Sequence, residues 1–211
     1  MLSTVRSDAQ RKRALRAAVD ALRAGELVVL PTDTVYGVAA DAFAPAAVRG
    51  LLDAKGRGRD MPVPVLIGAW RAVNGLVDDL PDVARDLISA YWPGALTLVL
   101  REGDGLGWDL GDANGTVAVR MPMHPVALDL LVETGPLAVS SANRSGEPAP
   151  TSAAAAKAQL GTAVAIYLDA GDAGEGTAST IVDCTGAQPR VLREGAISRR
   201  QIESVVGGPV A

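Results

Sequence analysis

The chain has 211 residues, 48% of them apolar and 21% charged, which suits one sizeable core or at most two small ones. A formal net charge of −4 argues against a protein that grips nucleic acid over a broad basic face, while leaving room for a local basic pocket. A single cysteine, Cys184, excludes an internal disulfide, and no apolar run approaches the roughly 18 residues that span a bilayer.

The start, MLSTVRSDAQRKR, lacks the apolar core of a signal peptide, so a cytoplasmic protein with no membrane association is the default expectation. Aromatic residues make up only 3%, and the core must be built from Ala, Val and Leu. The one histidine, His124, leaves little room for a His-rich zinc site or a Ser-His-Asp triad, and no metal site is expected. Lying between Met123 and Pro125, it reads as a loop or helix-entry residue.

In chain order, Ser7 and Gln10 form a capping box for a first helix, whose Leu15, Ala18, Val19 and Leu22 fall at helical spacing before Gly25 ends it. A strand Glu26 to Leu30 follows and opens into the polar stretch PTDTVYG. That stretch reads either as a turn or as the lip of a pocket, since Pro, Thr, Asp and Gly serve both. A helix from Pro45 carries Val48, Leu51 and Leu52 on one face and ends in KGRGRD. Next come a strand Pro62 to Ile67, helical patterns over Trp70 to Val77 and Pro81 to Tyr91, and a strand in WPGALTLVL.

The Gly- and Asp-rich segment Arg101 to Gly115 reads as a surface loop. Thr116 to Met121 is a strand, Pro125 to Thr134 a helix, and Pro136 to Ser141 a strand running into SSANRSGEPAP. An alanine-rich helix Thr151 to Leu160, a strand Ala163 to Leu168 and the glycine loop GDAGEG come next. Short strands Ser179 to Cys184 and Arg190 to Arg193 precede a last helix capped by Ser198 and Gln201. Strands and helices alternate from end to end, without internal repeat or linker, so the expected fold is a single α/β domain, residues 1–211, on a mixed sheet with flanking helices.

The usual phosphate cradles are missing: there is no GxxxxGK[ST], and the glycines of GDGLGWDLGDANG neither follow a strand nor open a helix. Instead Lys55, Arg57 and Arg59 stand on glycine-spaced backbone past a helix end, either as a dipole-complementing C-terminus or as an anion site. Position 55 holds one of only three lysines among 20 basic residues, which tilts the reading towards an anion site that wants a compact ammonium. Ser140, Ser141 and Asn143 end an apolar strand, as a turn or as ligand groups at a sheet end. Arg120 closes TVAVR, where its fork should meet a carboxylate or phosphate. Ser179-Thr180 and Arg193 add polar groups at further strand edges. These residue types suit a polyanionic ligand with a small zwitterion beside it, handled by positioning and charge neutralisation rather than covalent catalysis.

The ordered set LPTDTVYGVAADA, KGRGRDMPVPVLI, WPGALTLVL, VAVRMPMHP, PLAVSSANRSGEPAPT, STIVDCTG and VLREGAIS resembles the YrdC/Sua5 family, the threonylcarbamoyl-AMP synthases. The resemblance implies a YrdC-like twisted sheet and a nucleotidyltransferase. Such an enzyme makes threonylcarbamoyl-AMP and pyrophosphate from L-threonine, bicarbonate or CO2, and ATP, for N6-threonylcarbamoyladenosine in tRNA. It further implies that Lys55 and Arg57 contact ATP phosphates as catalytic residues, with Ser141, Asn143, Thr116 and Arg193 on the nucleotide. Thr34, Tyr36, Arg120 and Ser179 would hold threonine or its carbamate. Mg2+ would come mainly through the phosphates, a downstream tRNA threonylcarbamoyltransferase would take the product, and tRNA itself would not bind tightly. Solvent-facing Lys55 and Arg57 are expected to be replaceable by alanine with little loss of fold stability. Asp33 stands where many members have Glu, and Gly58 where Pro is common, which leaves the placement of Arg59 open. Without a second domain after Ala211 this would be the short form. The alternatives are an RNA-binding module of the same fold, or a carbamoyl-transfer domain of hydrogenase-maturation type. One Cys and one His disfavour the zinc fingers to which that second alternative is fused.

Overall fold

Ser7 opens the first helix in the manner its spacing from Gln10 predicts. Its Oγ accepts from the Gln10 amide at 3.4 Å while Gln10 Oε1 accepts from the Ser7 amide at 3.2 Å, so two otherwise orphaned donors are satisfied. The computed structural model describes residues 1–5, 7–174 and 176–211, and Glu175 of the GDAGEG loop lies outside them. In chain order its strands and helices are β1 (Leu2–Thr4), α1 (Asp8–Arg23), β2 (Val28–Leu30), β3 (Gly37–Asp41), α2 (Pro45–Lys55) and β4 (Val65–Leu66). They continue with α3 (Asp82–Tyr91), β5 (Leu96–Arg101), β6 (Thr116–Arg120), α4 (Pro125–Thr134), β7 (Leu137–Ser141) and α5 (Ala153–Leu160). The chain closes with β8 (Ile166–Asp169), β9 (Thr180–Asp183), β10 (Arg190–Arg193) and α6 (Arg199–Val206).

The ten strands among the described residues join one mixed sheet in the order β1-β8-β2-β3-β7-β4-β6-β5-β9-β10. The α/β expectation therefore holds, with four differences of detail. β3 went unread because Gly37 to Ala40 are buried on both faces, and a two-sided strand shows no polar alternation. It pairs antiparallel with β2 and with β7, so PTDTVY connects two adjacent central strands. β1 is a short polar piece that pairs parallel with β8. The strand expected over Pro62 to Ile67 shrinks to two residues, because prolines at 62 and 64 cannot donate to a ladder. The pattern over Trp70 to Val77 forms a 3₁₀ turn, Trp70–Gly75, instead of an α-helix.

Alternation along the strands sorts the core into two layers. On one face Val29, Val38, Val65, Leu96, Leu98, Leu100, Val117 and Val119 pack under α2, α3, α5 and α6. On the other, Val28, Leu30, Ala39, Leu66, Leu137 and Val139 pack under α1 and α4. Those two helices cover the β8-β2-β3-β7 half of that face. Beyond β4 the neighbouring β6-β5-β9 part carries no helix there among the described residues, and the cavity described next occupies it.

Candidate active site

The cavity has a volume of about 580 Å³ and is lined by Thr97 and Val99 of β5, Thr116, Ala118 and Arg120 of β6, Val139 and Ser141 of β7, and Ile181 of β9. These are the residues left over when Leu96, Leu98 and Val119 turn into the core. The strand period of two thus makes a wall with an apolar floor and polar groups at its ends. Burying polar groups is costly unless each finds a partner. Yet Thr32, Thr34, Thr97, Arg120, Ser140 and Ser179, all buried, line this one cavity.

The lip between β2 and β3 settles the turn-or-pocket question in favour of both. Thr32 Oγ1 donates to Val35 O at 2.6 Å, accepts from the amides of Thr34 and Val35, and meets Thr34 Oγ1 at 3.0 Å. The turn so formed holds Thr34 against Arg120. Arg120 donates from Nε to Gly94 O at 2.9 Å, from Nη1 to Thr34 Oγ1 at 3.0 Å and from Nη2 to Asp33 Oδ1 at 2.7 Å, leaving donors over for a ligand. Burial lowers its pKa, Asp33 opposes that shift, and Arg193 adds to it. A buried ion pair is weak support for stability, because desolvation offsets its attraction. Its place in a cavity wall is better explained by a ligand.

Tyr36, expected to touch the ligand, is fully buried and absent from the lining. Its hydroxyl donates to Gly171 O at 2.6 Å and accepts from the Ala170 amide at 3.2 Å, pinning the segment after β8. Its observed contacts position backbone.

The three cations of KGRGRD part company. Lys55 was expected to face solvent and is 3% exposed instead. Its ammonium donates to the carbonyls of Ser141 and Asn143, so it ties the end of α2 to the loop after β7. Burial, with the charge of Arg57 added, brings its pKa down to about 8. The expectation of a structurally dispensable Lys55 is therefore corrected. Arg57 reaches into the cavity, donating from Nη1 to Ser140 Oγ at 3.0 Å and from Nη2 to Pro62 O at 3.4 Å. Its Nε is shielded from solvent and meets no acceptor among the described residues. Arg59 points away, onto Asp109 and Asp112.

Of the remaining expected residues, Ser141 and Asn143 line the cavity, and Asn143 Nδ2 is bonded to the carbonyls of Arg144 and Glu147. Thr116 also lines it, with its hydroxyl on Ala113 O at 2.7 Å. Ser179 meets Thr97 at 2.9 Å, and Arg193 donates from Nη2 to Ser179 O at 2.7 Å, forming a third polar corner. His124 caps α4, its Nδ1 accepting from the Val126 amide at 3.3 Å.

Sequence reasoning missed Thr97 as a site residue and missed Asp33 and Thr32 as its scaffold. A hydroxyl at the out-of-phase position of the apolar run LTLVL was the available signal for Thr97. The turn residues of PTDTVYG marked Thr32 and Asp33 only as members of a turn or pocket lip, and the pairing of Asp33 with Arg120 across 87 positions left no local trace. Among the described residues no group of three or more His, Cys, Asp or Glu side chains gathers as a metal site.

Arg57, Arg120 and Arg193 all line one cavity with an apolar floor. The fold and site together define a protein of the α/β class with an arginine-lined cavity on one face of its sheet. The Sua5/YciO/YrdC family model, described as "Telomere recombination", matches residues 20–195. The chain belongs to that family.

A Mycobacterium tuberculosis protein that carries the provisional name threonylcarbamoyl-AMP synthase is 60% identical over 198 residues, covering 94% of this chain and 91% of its own length. The Bacillus subtilis threonylcarbamoyl-AMP synthase is 42% identical over 188 residues, covering 88% of this chain but 54% of its own. The crystal structure of Pyrococcus abyssi Sua5 complexed with L-threonine superposes with a TM-score of 0.90 at 35% identity, covering all of this chain and 62% of that one.

Proposed function

We propose that this protein is an L-threonylcarbamoyladenylate synthase, a nucleotidyltransferase that converts L-threonine, bicarbonate or CO2, and ATP into threonylcarbamoyl-AMP and pyrophosphate. The observation that carries the reading is the Arg57 guanidinium, which lines the same cavity as Arg120 and Arg193 and spends one hydrogen each of Nη1 and Nη2 on Ser140 Oγ and Pro62 O, leaving the others for a ligand. A phosphate oxygen is a fitting acceptor for the remaining Nη1 and Nη2 hydrogens. The names of the mycobacterial and Bacillus relatives, and the threonine in the Pyrococcus structure, support the same reaction.

Two anions must meet in this reaction: the carbamate formed on the threonine amine attacks the α-phosphate, and pyrophosphate leaves. In our reading Arg57 neutralises the triphosphate directly and Lys55 does so from behind the Ser141–Asn143 loop, whose polar groups face the nucleotide. Arg120 takes the threonine carboxylate with the donors that Asp33, Thr34 and Gly94 leave over, and Thr34 adds its hydroxyl. Thr116 borders the nucleotide, and Ser179 with Arg193 closes the far corner. Tyr36 acts through the backbone it pins. Catalysis is then positioning plus charge neutralisation, without a protein nucleophile. Mg2+ would enter on the triphosphate, since Glu147 is the one carboxylate lining the cavity among the described residues, and phosphate-borne Mg2+ needs only one or two. When bound it would screen the leaving charge.

The mycobacterial relative is matched over nearly its whole length, which supports one domain, residues 1–211, as sufficient for the chemistry. A cytoplasmic location and a downstream tRNA threonylcarbamoyltransferase follow from the product. No helix among the described residues is long and apolar enough to cross a membrane.

Pyrophosphate release measured with each substrate omitted in turn tests the proposal. Release that requires ATP, threonine and bicarbonate together is the expected result. Release indifferent to threonine would overturn it, and salt-dependent RNA binding without ATP would favour an RNA-binding module of this fold.

A further inference from the structure

Arg59 stands two residues from Arg57 yet outside the cavity lining, with a half-exposed side chain. Its fork grips Asp109 at both oxygens, Nη1 to Oδ2 at 2.9 Å and Nη2 to Oδ1 at 2.8 Å, and its Nε donates to Asp112 Oδ1 at 3.2 Å. The backbones beneath are joined as well: the Asp112 amide donates to Arg59 O at 2.8 Å and the Val63 amide to Leu110 O at 2.9 Å. Gly111 permits this approach, since at φ +106° an added Cβ would lie 2.8 Å from Arg59 O.

Both stitched segments are cavity wall. One supplies Arg57, Pro62 and Val63, and the other Leu110 and Ala113. The second segment is anchored at its far side by Trp108, which stacks on Phe43 at a centroid distance of 5.4 Å. Arg57 itself sits between Gly56 and Gly58, on backbone with little stiffness of its own.

We propose that Arg59, Asp109 and Asp112 form a clamp that closes this wall and presets Arg57, making Arg59 a positioning residue and not a third ligand of the polyanion. The inference rests on the reading of Arg57 as a phosphate contact. Without the clamp, the glycine-flanked Arg57 segment must be ordered at the moment of binding, which weakens ATP binding without altering the bound geometry.

Asp109→Asn separates the clamp from simple electrostatics by sign. It is nearly isosteric and removes a negative charge beside an anion site, so charge alone would lower the KM for ATP or leave it unchanged. Loss of the clamp raises that KM about two- to tenfold, with kcat and the KM for threonine little changed. Arg59→Lys keeps the charge but loses the fork and should raise the KM likewise. The double variant should be no worse than the poorer single one, because both break the same contact.

Calorimetric titration with pyrophosphate alone reads the same weakening without turnover, so the clamp is tested even where the proposed reaction fails. Thermal unfolding close to wild type is expected for both variants. An ATP KM that falls or stays constant in Asp109→Asn, an unchanged pyrophosphate affinity, or additive losses in the double variant would overturn the clamp.

Discussion

Lys55 concentrates the physical tension of the site in one side chain. An ammonium at 3% exposure is costly, and it is tolerated because two backbone carbonyls accept from it. Lys55→Ala should therefore abolish pyrophosphate release and also lower stability by about 1–3 kcal/mol, by stranding the carbonyls of Ser141 and Asn143. Urea denaturation checks the second part, and an unchanged midpoint would contradict the buried placement. The same lysine predicts opposite pH trends for activity and stability. With a folded-state pKa of about 8, the free enzyme loses the ammonium above that pH, and kcat/KM for ATP should fall there. The unfolded chain holds that proton up to the ordinary lysine value of 10.5, so between the two values the unfolded state binds more protons and this group's contribution to stability rises with pH. A pH–rate profile flat through pH 9 would remove Lys55 from the phosphate site.

The connection between β2 and β3 shows how an element can be functional through its shape. Thr32 lines the cavity, but its main task is to hold the turn that presents Asp33 and Thr34 to Arg120. Thr32→Val keeps the volume but leaves Val35 O and two amides without their partner, at a cost of about 1–3 kcal/mol. Because the turn then shifts, the KM for threonine should rise more than that for ATP, and equal changes in steady-state assays would show the turn to be mere scaffold. The opposite end of the cavity depends on close backbone contact in a comparable way. An added Cβ at Gly195 would collide with Ala178 O, against the segment from which Ser179 meets Arg193.

Over the whole molecule, helices cover the central strands of the sheet on one face, and on the other they leave the part that forms the cavity. The chain carries a net −4, so ATP approaches a repelling body and is favoured only locally, by the arginines of the cavity. Rising ionic strength screens both effects over about 10 Å at 0.1 M. The short-range arginine contacts should dominate, so the KM for ATP should climb with salt while that for zwitterionic threonine moves less. Steady-state assays across a salt series check this, and a falling ATP KM would mean that the long-range repulsion wins.

How much of this was legible depends on the range of the interactions involved. Helix caps such as Ser7 with Gln10, the run of Arg120 into TVAVR, and the hydroxyl-rich strand ends at Thr34 and Ser141 are local, written within a few residues of each other. From them, and from the ordered motifs, the α/β class, the family and most of the cavity's polar inventory could be read. Tertiary structure alone decided which way those groups face. Lys55 turned inward because carbonyls some ninety residues on in the chain accept its protons, and Tyr36 because Gly171 does. Arg59 left the anion site because Asp109 and Asp112 stand across a loop that the sequence marked only as rich in Gly and Asp, with no sign of which cation its aspartates would meet. Spacing along a chain records which side chains share an element, but pairing between distant elements leaves no local trace, and in this protein that pairing separates ligand contacts from the groups that hold them.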